Sequence, residues 1–360
     1  MLVGPQYPLY EDCIDEPTTI TTIETTSTTT IETTSPIVID TWKLLVIGGY
    51  EDGRGYISDV EKVDPNKISS KCTKPMQYPT VIYGPTAQAF PDQSVLSCGG
   101  SDVHGKHKSC YEYNPIHLNW SYATDMIKAR SHSSSVLLND NEMWVVGSTD
   151  FQTTEIYDRK TNSFRKGPDV PDVPKLSNLH FHCMAKLNAT HVFIGGVESM
   201  DRAGYYDVSF LVKVSEEPFV FHKLPKMEQS RFGAGCGVIR LDSNNGNMIQ
   251  RYNTSSSKTL IIMVGGGELL TWRRDSEIFN IEENEWSTGP MLPGSFRSGG
   301  SASLGDGSMV IAGGCCTEDG DKSDVMRLNP ILMEFETMAG ELQTAKEHFA
   351  MTVLLDNEDC

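Results

Sequence analysis

The stretch LLVIGG at residues 44–49 recurs along the chain as SVLSCGG at 94–100, EMWVVG at 142–147, HVFIGG at 191–196, LIIMVGGG at 260–267 and MVIAGG at 309–314. Each copy is a short β-rich apolar run that ends in glycine, the pattern of a buried strand stopped by a sharp turn. First glycines fall at 48, 99, 147, 195, 265 and 313, so four of the five intervals are 48–51 residues. The fifth interval, of 70 residues, contains the polar segment DSNNGNMIQRYNTSSSK at 242–258, which reads as a surface loop. Periodicity on this scale is the mark of a repeat architecture.

Outward from each glycine the same order returns. A second alternating strand follows: DVEKVDPN (59–66), CYEYNP (110–115), TEIYDRKTN (154–162), FLVKVSEEP (210–218), SEIFNIEEN (276–284) and DVMRLNP (324–330). Next comes a short strand with one large residue, Trp120, Phe164, Phe221, Trp286 or Phe335, with Cys72 at the corresponding place in the first unit. Proline turns lead into an opening strand, often after a basic residue, as at Arg130, Arg231 and Arg297. Four short strands per unit and no helix-period segment predict an all-β propeller of six four-stranded blades. The first unit lacks the aromatic, and the third has Ser148 after Gly147, so these two blades are expected to be the least regular. A lone strand in AKEHFAMTVLLD (345–356) matches the opening strand of the other units and is expected to complete blade 1, removing exposed sheet edges.

The order strand, GG, strand ending near Tyr-Asp-Pro, aromatic strand, proline turn, Arg resembles the kelch repeat over roughly residues 42–356. In kelch adaptors the binding rim is built from loops after the GG strand and from residues opening the innermost strand. Carried over by position, the resemblance implies partner-binding roles for Tyr50, Arg54, Tyr56, Arg130, Arg202, Tyr205, Arg231, Trp272, Arg273, Arg274 and Arg297. Arg, Tyr and Trp dominate interface energetics, and Arg reads carboxylates in bidentate fashion, so the expected partner is a protein segment or glycan with acidic groups. The bland alternative is that these arginines pair with Asp and Glu on adjacent blades.

The formal charge is −18, and seven carboxylates precede the first lysine at 43. That field argues against nucleic acid and anionic membrane as partners. No apolar run approaches the roughly 18 residues of a membrane span, and residues 1–40 show no basic stretch before a hydrophobic core of a signal peptide. Residues 1–40 are read as a disordered, acidic, Thr-rich tail and 41–360 as the propeller. The Thr-dominated tract at 17–35 suits either an O-glycosylated stalk or a plain linker.

Sequons at Asn119, Asn188 and Asn253 are candidate glycosylation sites. Nine cysteines without a Cys-x-x-Cys pair suit a secreted disulfide-bearing glycoprotein, though buried cytosolic thiols would look similar. Cys98–Cys110 is a possible cross-strand bond, Cys315–Cys316 a possible vicinal one, and Cys13–Cys360 a bond that ring closure would permit. Asp102, His104, His107 and Cys110 supply ligand types that zinc accepts, but solvated loop histidines are the simpler account. His132, His182 and His348 fall at a similar place in three innermost strands and are expected to pack around the axis.

Hydrolase, metalloprotease, P-loop and dinucleotide motifs are absent, as is any counterpart of the copper site of the seven-bladed galactose oxidase family, so no cofactor and no catalytic residue is assigned. The leading expectation is a non-enzymatic extracellular binding module; an intracellular kelch adaptor and a propeller enzyme are the alternatives.

Overall fold

The computed structural model describes residues 42–68, 76–148, 151–171, 179–198, 204–241, 258–268, 271–315 and 320–355. They form an all-β, six-bladed propeller of antiparallel blades; among the described residues there is no helix, and none long and apolar enough to cross a membrane. Blade 3 shows the plan, with strands Ser134–Asn139, Glu142–Ser148, Phe151–Asp158 and Ser163–Lys166 ordered from the axis outward. Apolar runs become the second strand because that strand is covered on both faces by neighbouring blades: Met143 to Val146, Leu44 to Ile47 and Ile261 to Val264 are all fully buried.

The ring closes as expected. Ala350–Leu355 pairs with Trp42–Ile47 in blade 1, in the register Trp42↔Leu355 to Ile47↔Ala350. Each aromatic of the outermost strands stands opposite a large residue of the third: Trp120 on Tyr113, Phe164 on Tyr157, Phe221 on Val212, Trp286 on Phe279 and Phe335 on Leu328. In blade 1, whose Cys72 lies outside the described residues, the described part of the outermost strand is Met76–Gln77. Blade 3 keeps all four strands, but its ladder breaks between Val146 and Ser148, as expected where Ser148 follows Gly147. Blade 4 breaks at the equivalent place. There Gly196, not Gly195, takes the place of the first glycine, across a register break between Gly195 and Val197. The structural reason is close approach. At Gly48, Gly99, Gly147, Gly196, Gly265 and Gly313 φ is +58° to +75°, and a Cβ would come within 2.1–3.1 Å of a carbonyl oxygen of the next blade.

One residue per blade, Gly84, His132, Phe181, Gly233, Ser298 and His348, sits in left-handed conformation where the innermost strand begins, with φ of +52° to +67°. Their backbones form a closed circle around the axis, in which each N–H donates to the carbonyl of the preceding blade's equivalent at 2.7–3.3 Å, and Gly84 donates to His348 to finish it. Four of the six are not glycine, a conformation that an L-residue adopts only where the surroundings fix it.

Two residues upstream of that circle lies a slot whose occupant alternates. In blades 1, 3 and 5 it is Lys346, Arg130 and Arg231, each fully buried and paired with a buried carboxylate of its own blade's third strand, Glu61, Glu155 and Glu277. In blades 2, 4 and 6 it is Ile82, Leu179 and Phe296, and the third-strand positions are Tyr111, Phe210 and Met326. Each glutamate also accepts backbone N–H groups of the incoming loop: Ile127 (2.6 Å) and Lys128 (3.1 Å) on Glu155, Glu228 (2.8 Å) and Gln229 (3.2 Å) on Glu277, and Gln343 (2.6 Å) on Glu61.

Two disulfides are formed among the described residues. Cys98–Cys110 bridges facing strands of blade 2, as their spacing suggested. Cys183–Cys236 ties the innermost strands of blades 4 and 5, and no local sequence pattern announces it. The proposed bonds of Cys13–Cys360 and Cys315–Cys316 fall partly or wholly outside the described residues.

Candidate functional site

The residue just before each member of the backbone circle lies on the side of the post-glycine loops, where all but the buried Ser131 are half-buried. Around the ring these are Tyr83, Ser131, His180, Phe232, Arg297 and Glu347. Tyr50 and Tyr56 join them from a short hairpin, Tyr50–Glu51 with Gly55–Tyr56, which is docked by reciprocal backbone bonds between Tyr50 and Glu347 (2.8 and 3.0 Å).

The aromatic side chains form a continuous floor. Tyr56 lies 5.3 Å from Tyr83, and Tyr83 lies 4.8 Å from His132 and 4.7 Å from His348. Phe181 continues the floor at 4.3 Å from His132 and 4.5 Å from Phe232, with Tyr206 a further 4.8 Å on. Edge-to-face and tilted contacts of this kind hold rings rigidly.

Arg297 lies over Phe232 with its guanidinium carbon 4.8 Å from the ring centre. It donates to the Glu268 carbonyl at 3.4 Å, and among the described residues its Nε has no hydrogen-bond partner. Burial draws the guanidinium down from its ordinary pKa, while Glu347 pulls the other way. Burial and the nearby Glu347 push the Tyr83 hydroxyl up, and burial pushes Tyr206 up to about 12, so both phenols remain donors at neutral pH. The Glu347 carboxylate lies 3.1 Å from His348 Nε2.

Beneath the circle a cavity of about 110 Å³ is lined by His132, Ser133, His182, Ser298 and their neighbours. His182 is neutral there, its pKa pulled down to about 3 by burial, and burial also lowers His132 well below the usual imidazole range. His132 and His348 occupy equivalent places and touch at 4.9 Å, whereas His182 is one residue further along its strand. The three imidazoles are therefore not one layer. Among the described residues no group of three or more His, Cys, Asp and Glu is arranged to hold a metal ion, and Cys110 of the His-x-x-His-x-x-Cys stretch is committed to its disulfide.

The structure sorts the arginines expected at the rim. Arg130 and Arg231 are corrected outright: both are 0% exposed, so neither can touch a partner. Arg231 donates to Glu277 at 2.9 Å, to Asp275 at 2.8 Å and to the Gly265 carbonyl at 2.8 Å. Arg130 is held in the same way by Glu155 (2.9 Å) and the Gly147 carbonyl (2.8 Å). These pairs lie within one blade, not between adjacent blades. Arg297 was aligned with them by sequence but stands one residue later: Phe296 fills the buried slot, and Arg297 reaches the mouth with Phe232 and Ser131 as equivalents.

Arg54 is exposed and paired with Glu51 (2.7 Å) and Asp59 (3.0 Å), and Arg273 is paired with Asp275 at 2.8 Å. Arg274 donates to the Leu292 carbonyl at 3.1 Å. Trp272 is exposed and Tyr205 half-buried in the loops above, and Arg202 lies outside the described residues. Asn119 and Asn188 are exposed, with Asn188 Oδ1 accepting the Thr190 and His191 amides at 2.8 and 2.9 Å; Asn253 lies outside the described residues. Sequence reasoning missed Tyr83, Tyr206, Phe232 and Glu347. Counting one residue back from the circle in each repeat would have found three of them.

No family model matches the chain, and no curated protein matches it. Among solved structures it is similar to that of YjhT, with a TM-score of 0.60 and 13% identity, covering 81% of this chain and 96% of the other. A likeness at that identity shows the shared propeller fold.

Proposed function

We propose that this chain is a non-enzymatic binding module of kelch type that presents its post-glycine channel mouth to an acidic glycan or an acidic protein segment. The observation that carries this reading is Arg297, a partly buried guanidinium on an aromatic floor whose Nε has no partner among the described residues, whereas Arg54, Arg130, Arg231 and Arg273 are paired with carboxylates. Aromatic faces stack on sugar rings and hydrophobic side chains, Arg297 supplies a fork for a carboxylate, and Glu347 supplies an acceptor for hydroxyl or amide hydrogens. Having both signs in one mouth favours a glycan, whose hydroxyls use Glu347 while its acid group uses Arg297. A rigid scaffold presenting loop residues around an axis is suited to such recognition. The two disulfides support a place outside the cell.

The test is binding of a panel of acidic and neutral oligosaccharides, with acidic peptides alongside, to the full chain and to Arg297→Ala. Truncation of a partly buried charged contact is expected to weaken the best acidic ligand by about tenfold or more. Equal binding by the variant, or equal preference for neutral sugars, would overturn the reading. Intact mass before and after deglycosylation checks the location, since occupancy of exposed Asn119 requires passage through the secretory route.

A further inference from the structure

At the opposite end of the channel the inner strands line a larger, open cavity of about 370 Å³, at whose edge Arg240 is exposed. The aromatic mouth does not reach it, because the backbone circle with the His132, Phe181 and His348 side chains lies between. Its polar side chains are Gln88, Lys186, Arg240 and the hydroxyls of Ser135, Ser301, Ser303 and Thr352, with no carboxylate among them. Lys186 and Arg240 stand on neighbouring blades, and neither is paired with a carboxylate in the lining. Lys186 Nζ donates to the Leu138 carbonyl at 3.0 Å, which uses one of its three protons, and Arg240 donates to the Leu187 carbonyl at 3.3 Å. Burial lowers the Lys186 amine from its ordinary value, as expected of a cation held without an adjacent counter-ion. The one carboxylate that acts on it, Asp140, is exposed and outside the lining.

Of the four hydroxyls, that of Ser135 is paired with Thr86 at 2.6 Å, and the other three each accept a backbone amide. Ser301 Oγ accepts the Cys236 amide at 3.1 Å, Ser303 Oγ accepts the Val238 amide at 2.8 Å, and Thr352 Oγ1 accepts the Ala89 amide at 3.1 Å. An oxygen whose lone pair is occupied by a backbone N–H is left with its own O–H to donate. The Gln88 side-chain carbonyl is the exception in this lining, its amide nitrogen being engaged with the Ser135 carbonyl at 2.9 Å. The chain as a whole carries −18, so a cavity with two cations, three hydroxyls able to donate and no lining carboxylate is chemically distinct from its surroundings.

We infer that this end of the channel is a second binding site, which takes a small, multiply charged oxyanion whose oxygens accept from Lys186, Arg240 and the Ser301, Ser303 and Thr352 hydroxyls. The volume lies within the range of small-molecule sites and exceeds what a single phosphate fills, so a polycarboxylate of about citrate size is the better match. The methionines and alanines between the donors, Met184, Ala185, Ala302 and Met351, suit its carbon frame.

Calorimetric titration of the full chain with citrate and with inorganic phosphate tests the site. Citrate is expected to bind saturably and more tightly than phosphate. The Lys186→Met/Arg240→Met double variant is expected to weaken citrate by at least about tenfold, and Thr352→Val by a few-fold, through loss of charged and neutral donors respectively. Arg297→Ala, at the other mouth, is expected to leave citrate binding unchanged. No saturable heat from either anion, or a double variant that titrates like the unaltered chain, overturns the inference. Loss of citrate binding in Arg297→Ala alone also overturns it, because the anion would then occupy the aromatic mouth.

Discussion

Blades 1, 3 and 5 hold the loop entering their innermost strand with a buried cation and glutamate, whereas blades 2, 4 and 6 hold the equivalent loop with two apolar side chains. The backbone scarcely distinguishes the two sets. The amides of Ile82 and Phe296 donate to loops of the preceding blade at 3.0 and 3.1 Å, as those of Arg130 and Arg231 do at 2.9 and 3.1 Å. What differs is the pair of side chains, and the members of a pair change together: Arg130 with Glu155 but Leu179 with Phe210. A charge in the slot needs its counter-charge and its backbone donors, because a buried ion left alone costs several kcal/mol. An apolar residue there needs only volume. The same geometry is thus reached by two chemistries, neither of which tolerates half of the other.

Removing half of a pair gives the largest effect. Glu277→Ala leaves Arg231 buried without its carboxylate and is expected to lower stability by about 3–5 kcal/mol, read as the shift in urea midpoint. Adding Arg231→Leu and placing Phe at 277, which copies Leu179 and Phe210, is expected to recover most of that loss. A double variant no more stable than Glu277→Ala would show that the two clamps are not interchangeable.

Acid acts on an apolar blade through His182. Its imidazole is neutral in the fold, with a pKa near 3 against about 6.5 unfolded, so the unfolded chain binds the proton first as pH falls. This contribution is complete above about pH 6.5 and is lost progressively toward pH 3, amounting to about 2 kcal/mol by pH 5. His182→Leu is expected to flatten the stability profile between pH 7 and 5 relative to the unaltered chain; parallel profiles would assign the acid sensitivity elsewhere. The smallest effect is expected at the surface. Arg165, 44% exposed and 3.1 Å from both Glu142 and Glu217, should contribute less than about 1 kcal/mol when replaced by Ala.

The sequence showed the blade count, the closing strand and the aromatic outermost strands because each is carried by residues close together in the chain. Cys98–Cys110 was readable for the same reason: twelve residues apart, on strands that the repeat places side by side. Errors of one residue explain most of the rest. Apolar-run ends suggested Gly195 as the blade 4 turn, but the carbonyl of Arg231 selects Gly196. Basic residues suggested aligning Arg297 with Arg130, but Phe296 holds the slot. In a ring built on β-strands a shift of one residue exchanges inside for mouth, so it changes which arginines a ligand can reach. The contact between Cys183 and Cys236 depends on two blades meeting, which no local pattern encodes.

Ring closure by Ala350–Leu355 against Trp42–Ile47 has a mechanical consequence. The pairing is antiparallel, with Trp42 opposite Leu355, so the two ends of the propeller leave the same edge of blade 1 side by side. Tension applied through those ends loads the outermost bond of the pair first and then each next one in turn, as in opening a zip, instead of stressing all of them at once. The propeller should therefore yield to pulling at its weakest mode, opening at this seam while each remaining blade still holds its own strands together.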